Sequence, residues 1–271
     1  MARAPAARSL WPREHGAYVQ LLVPLATALI ATGGSVAGGA IAVGASLAFL
    51  ASEPLRVVIG ARGPRLREAA GARARTRLAV LGVAALLCGG VGLWRAPTAA
   101  LWLSALVAAP LAAVLLAATR RAEGTLAGEL GAAIGLAGAA APVAVAGGMR
   151  ALDALTIWGG WALAFGATVI AVHHVIARHR RGPTRATVAR WLAIAATAAG
   201  LAALIAVAPV AWFAAPLVLA AAAVLLVTPP ATRLRAVGFA FFAISLVAAL
   251  CAISAARHLD SARPAATLIA G

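Results

Sequence analysis

The chain has no lysine, only seven acidic residues, two cysteines and one tyrosine among 271 residues. Each shortage excludes something. With 63 % hydrophobic residues, 11 % charged and a mean hydropathy of +0.98, there are too few polar side chains to cover a water-soluble domain of this size. Cys88 and Cys251 both fall inside apolar runs without CxxC spacing, which excludes a disulfide framework and a cysteine-built zinc site and predicts buried, inert thiols. No long linker, low-complexity tail or soluble module interrupts the chain, so a single domain over 1–271 is expected. A membrane β-barrel is excluded as well, because the apolar runs lack ten-residue dyad alternation.

What is abundant is apolar sequence in long blocks. A helix needs roughly 20 apolar residues to cross the hydrocarbon core, and inside lipid the backbone must satisfy itself as helix. Nine blocks qualify: 17–33, 36–52, 77–94, 99–118, 126–147, 152–175, 190–207, 209–227 and 236–256. The weakest break is at Pro209, where two spans could be one kinked helix. The fold class is therefore all-α, a polytopic membrane bundle with nine transmembrane helices. The first block follows arginines and precedes small residues, as a signal peptide would, but the spans beyond it favour an uncleaved first span.

The formal charge of +16 comes from 23 basic residues, all arginine. They occupy short connectors between apolar blocks, so they read as topology signals and not as a nucleic-acid surface. With the N-terminus in the cytoplasm, 19 arginines fall on the cytoplasmic side and four, Arg95, Arg150, Arg257 and Arg263, on the other. That alternation follows the positive-inside rule for nine spans, with the C-terminus outside. Gly34 and Gly38, and Gly124, Gly128, Gly131 and Gly135, predict close packing in or beside spans two and five. Pro24, Pro110, Pro142 and Pro216 predict kinks within spans.

Ionisable groups inside a span cost about 2.5–3.5 kcal/mol at its centre on insertion scales, so each carries a functional expectation. Glu14 and His15 stand at the start of span one, Glu53 ends span two, Glu129 lies one turn into span five, and His173 and His174 lie one turn from the end of span six. Glu14 and Tyr18 are four apart, as are His174 and Arg178, and Arg181 is seven beyond His174, so each set can share a helix face. Turned inward, these faces line one cytoplasmic vestibule. The plainer readings are ordinary ones. Glu14 after Pro12 suits a helix N-terminus, and Arg178 to Arg181 suit a collar at the lipid headgroups. Glu53 before Pro54 predicts a helix end there, with the carboxylate pairing with Arg56. Glu129 has no basic neighbour within a turn, so a group from another helix is expected to meet it. No HExxH, Walker loop, dinucleotide fingerprint or Ser/His/Asp arrangement occurs, and neither a metal nor a cofactor is expected.

The run PREHGAYVQLLVPL at 12–25, with Glu53, Pro54, Leu55 and Arg56 after span two, resembles the N-terminal signature of the YwiC-like family of bacterial membrane proteins. That resemblance implies a bacterial inner-membrane location and no particular activity. More distantly, nine spans with long basic connectors after spans two and six are similar to the UbiA superfamily of intramembrane prenyltransferases. There such connectors carry aspartates that hold magnesium on an isoprenoid diphosphate. Here neither connector has an aspartate, and HHVIARHRRGPTR at 173–185 puts histidines and arginines at the second motif. Guanidinium forks match phosphate oxygens directly.

The expected function is thus binding, with or without processing, of an anionic amphipathic ligand such as a prenyl diphosphate or another anionic membrane lipid. Tyr18, Glu53, Arg56, His173, Arg178 and Arg181 would contact it, and Glu14, His15, Glu129 and His174 would carry protons. A proton-coupled transporter and a non-catalytic assembly protein are the alternatives.

Overall fold

The computed structural model describes residues 10–12, 15–119, 125–181 and 186–261. Among them ten α-helices follow one another: α1 (His15–Ala31), α2 (Val36–Val58), α3 (Pro64–Arg95), α4 (Thr98–Thr119), α5 (Leu126–Gly138), α6 (Ala140–Ala146), α7 (Ala151–Arg181), α8 (Ala186–Val207), α9 (Ala215–Val227) and α10 (Leu234–Ser261). Short 3-10 turns precede α9 (Pro209–Ala214) and α10 (Ala231–Arg233), and no strand occurs among the described residues. Seven stretches among the described residues are long and apolar enough to cross a membrane, while His15–Ala31 is a shorter apolar helix. The protein is a multi-pass helical membrane protein. Of the nine crossings expected from the sequence, seven correspond to these long stretches and the first to the 17-residue α1.

Several boundaries differ from the sequence expectation for identifiable reasons. The fifth block is two helices, α5 and α6. Pro142 has no N–H for the Gly138 carbonyl and its ring crowds that carbonyl, and the chain tightens at Ala139, whose N–H bonds Leu136 O at 3.3 Å. Pro216 lies within the apolar span Pro209–Val227 but in the first turn of α9, where a missing N–H costs nothing. The helix does not end at Glu53: α2 runs through Pro54 to Val58. Its extra turn is held by Val57, 1 % exposed and packed with Leu10 and Ala74. The connector that follows is largely helical too, since α3 begins at Pro64 and carries Arg65, Arg67, Arg73, Arg75 and Arg77 before its apolar part.

The centre of the bundle is α5, α6 and α7. Ala133, Ala137, Ala140, Ala141, Val143 and Ala144 are buried, and their small size lets the neighbouring helices come close. Trp161 of α7 is fully buried, stacked on Phe165 and tilted against Phe213, both at 5.3 Å between centroids. α3 and α8 lie at the periphery and expose Leu86, Leu87, Trp94 and Leu192, the surface lipid would meet.

The tightest helix pair is α2 with α3. A Cβ added at Gly44 would lie 2.7 Å from the Gly89 nitrogen, and one at Gly92 would lie 2.8 Å from the Ile41 nitrogen. Backbone meets backbone there, so only glycine fits. Of the glycines expected to pack, Gly38 does approach α6, a Cβ there coming 3.1 Å from the Val143 carbonyl. Gly34 instead makes the α1–α2 turn with φ +73, and Gly124 lies outside the described residues.

Candidate functional site

A cavity of about 650 Å³ opens between α1, α2, α5, α7 and α10, closed on one side by Leu78 of α3 and Ala112 of α4. The contributing parts are the N-terminal ends of α1, α5 and α10 and the C-terminal ends of α2 and α7, so all belong to one end of the bundle. Phe49, Phe165, Phe241 and Phe242 make its wall mostly apolar. Five polar side chains reach it: Gln20, Ser52, Arg56, Glu129 and Thr168. Thr168 already donates its hydroxyl to Phe165 O at 2.8 Å, so its hydrogen is committed to its own helix.

Glu129 sits in the first turn of α5, after Thr125, whose hydroxyl accepts from the Gly128 N–H at 3.2 Å. An acidic residue there is favoured by the helix dipole. The group that meets it comes from α7: His173 Nε2 lies 2.7 Å from Glu129 Oε2. The contact is not an in-line hydrogen bond, since the buried Nε2 has no acceptor along its N–H direction, and it is an ion pair only with the imidazole protonated.

Glu53 is 6 % exposed and does not face the cavity as a free ligand group. Its carboxylate takes two bonds from Arg62, Nε to Oε1 at 2.9 Å and Nη2 to Oε2 at 2.7 Å. Arg56, the partner expected from the sequence, is 3.8 Å away through Nη1, near enough for Coulomb attraction and too far for a hydrogen bond. Arg62 reaches Glu53 because Gly60 and Gly63, with φ of +82 and +91, reverse the chain between α2 and α3. Arg56 lines the cavity wall beside the Glu53–Arg62 pair.

The remaining candidates divide. Tyr18 donates to Pro12 O at 3.2 Å and stands edge-on to Phe49 at 4.9 Å, supporting the wall from behind. His15 is exposed at the start of α1. His174 does not line the cavity and lies within electrostatic reach of Arg178 and Arg190, and Arg178 donates to the Thr228 hydroxyl beyond α9. Glu14 and the Arg181 side chain lie outside the described residues. Thus the structure joins Glu129 with His173, and Glu53 with Arg62 and Arg56, but separates His174 and Arg178 from both. Gln20, Ser52 and Arg62 were not singled out by sequence. A glutamine in the middle of an apolar run was the available signal for the first. Among the described residues no three His, Cys, Asp or Glu side chains gather to hold a metal ion.

Residues 11–145 match the family model described as YwiC-like protein. The chain belongs to the YwiC-like family. In this YwiC-like protein the matched half runs from the start of the cavity wall to α6 and includes Tyr18, Glu53, Arg56 and Glu129. His173, which completes the Glu129 pair, comes from α7, outside that half. No curated protein and no solved structure matches the chain.

Proposed function

We propose that the cavity binds an anionic amphipathic ligand, such as a prenyl diphosphate or another anionic lipid, entering from the cytoplasmic leaflet of a bacterial inner membrane. In this reading all nine helical stretches cross, with the N-terminus cytoplasmic and the C-terminus outside, in an arrangement similar to that of UbiA proteins. The observation that carries the proposal is a chamber of about 650 Å³ with four phenylalanines on its walls and with Arg56 and Glu129 lining it, Glu129 being in contact with His173. Its size falls within the roughly 300–1,000 Å³ of small-molecule sites, which are mostly apolar with a few placed polar groups. The tail fills the aromatic chamber, Arg56 meets the anionic head, and Glu129 with His173 supplies or accepts a proton at the boundary.

Native mass spectrometry of lipids carried through purification tests this. The wild type should retain an anionic lipid that Arg56→Ala and Glu129→Ala lose, and retention of the same lipid in both variants overturns the assignment. A second reading, proton-coupled transport, is favoured by one observation, the Glu129–His173 contact within helices that cross the membrane. It requires uptake into proteoliposomes that disappears in Glu129→Gln.

A further inference from the structure

Away from the cavity, on the far side of α7, a second cluster of basic side chains has no described counter-ion. Arg178 lies in the last turns of α7 and Arg190 in the first turns of α8, which packs against α7. His174, one turn before Arg178, lies within electrostatic reach of both guanidiniums. Arg178 spends one N–H on the hydroxyl of Thr228, which fixes the guanidinium against the turn after α9. The Nε of Arg190 is buried and donates to nothing, while its guanidinium lies 5.2 Å from the ring centre of the adjacent Trp191. Neither arginine meets a carboxylate among the described residues: Glu53 is taken by Arg62 and Glu129 by His173.

Three like-charged or donor groups gathered at a membrane-embedded helix junction repel one another, and a buried guanidinium N–H without an acceptor is a desolvated donor. An anion with several acceptor oxygens removes both defects at once. We propose that Arg178, Arg190 and His174 form a second anion site, separate from the cavity, that takes a phosphate group. The match is chemical, since two guanidiniums offer forked N–H pairs to phosphate oxygens. The surroundings extend it. Val188, Trp191 and Leu192 of α8 and Leu226 and Val227 of α9 are exposed beside the cluster, an apolar surface along which acyl chains can lie, with Trp191 at the level where aromatic residues anchor membrane proteins. The phosphate can belong to a lipid headgroup or be free inorganic phosphate, and both present the same oxyanion.

Purified protein in neutral detergent, titrated with phosphatidylglycerol or phosphatidylcholine and read by native mass spectrometry, tests the site. The wild type should bind phosphatidylglycerol in preference to phosphatidylcholine. Arg178→Gln and Arg190→Gln should each lower the bound fraction by about tenfold, the scale of one lost charge-assisted hydrogen bond. Arg190→Lys, which retains charge and most of the packing, should bind at an intermediate level. Arg95→Gln at the opposite end should leave this binding unchanged, and repeating the titrations on an Arg56→Ala background, which removes the cavity's own grip on an anionic head, makes failure of this site distinguishable from failure of the cavity proposal. Displacement of phosphatidylglycerol by added inorganic phosphate assigns the site to the free anion as well, and absence of displacement assigns it to lipid. Equal binding of the two lipids by the wild type, or undiminished phosphatidylglycerol binding in a folded Arg178→Gln/Arg190→Gln double variant, overturns the proposal.

Discussion

Replacing Arg62 by alanine strands a buried carboxylate. Glu53 is 6 % exposed and depends on Arg62 for two bonds of 2.9 and 2.7 Å. Arg56 at 3.8 Å still attracts the carboxylate after the change but cannot replace either bond. Arg62 is itself 31 % exposed, so its removal opens a path for water to the abandoned oxygens. Losing one member of a buried ion pair costs roughly 3–5 kcal/mol. The retained charge of Arg56 and the new water put Arg62→Ala at the lower bound, about 3 kcal/mol. Glu53→Gln is milder, about 1 kcal/mol, because it removes the buried charge and leaves an arginine that can turn toward solvent. Adding Arg62→Ala to Glu53→Gln should then cost little more, giving a coupling energy of about 3 kcal/mol in the double-mutant cycle. Equilibrium unfolding in mixed micelles of increasing sodium dodecyl sulfate, followed by tryptophan fluorescence, measures all four proteins. If Arg62→Ala is no more destabilising than Glu53→Gln, the fork is not what holds Glu53 inside.

The α2–α3 contact gives a second expectation in the same assay. Gly44→Leu places side-chain atoms where the Gly89 backbone already lies, which costs about 1–3 kcal/mol of overpacking strain, whereas Gly39→Leu, with nothing within 4 Å, should change stability by less than about 0.5 kcal/mol. Orientation is read by reporter fusions. Alkaline phosphatase joined after Gly271 should be active and a fluorescent protein at the same place dark, and the reverse result removes the odd number of crossings.

Apolar block length carried most of the helix positions, because the length needed to cross hydrocarbon is read from residues close together in the chain. The helical stretch from Pro64 to Arg77 was hidden for the opposite reason. Its arginines read as a connector, although Gly71 and Ala74 on one face are buried. Two site features were out of reach for geometric reasons. Arg62 meets Glu53 only through a turn built on two glycines of positive φ, and no spacing rule forecasts that reversal. His173 and His174 are adjacent in sequence but about 100° apart around α7, so one meets Glu129 and the other turns to the arginines. Which of the two faced inward depended on the rotation of α7 against α5, a packing matter that the pattern of its residues left open.

The Glu53–Arg62 fork has a consequence for biogenesis. An emerging α2 alone would present a carboxylate to the bilayer with its main partner still to be synthesised, nine residues further on. Only when the reversing turn has formed does the charge acquire its guanidinium, and by then the first turns of α3 are in place beside it. Entry as a hairpin, both segments together, avoids exposing the lone carboxylate to lipid, so the two helices that touch backbone to backbone are also the two that the insertion machinery has most reason to release as one.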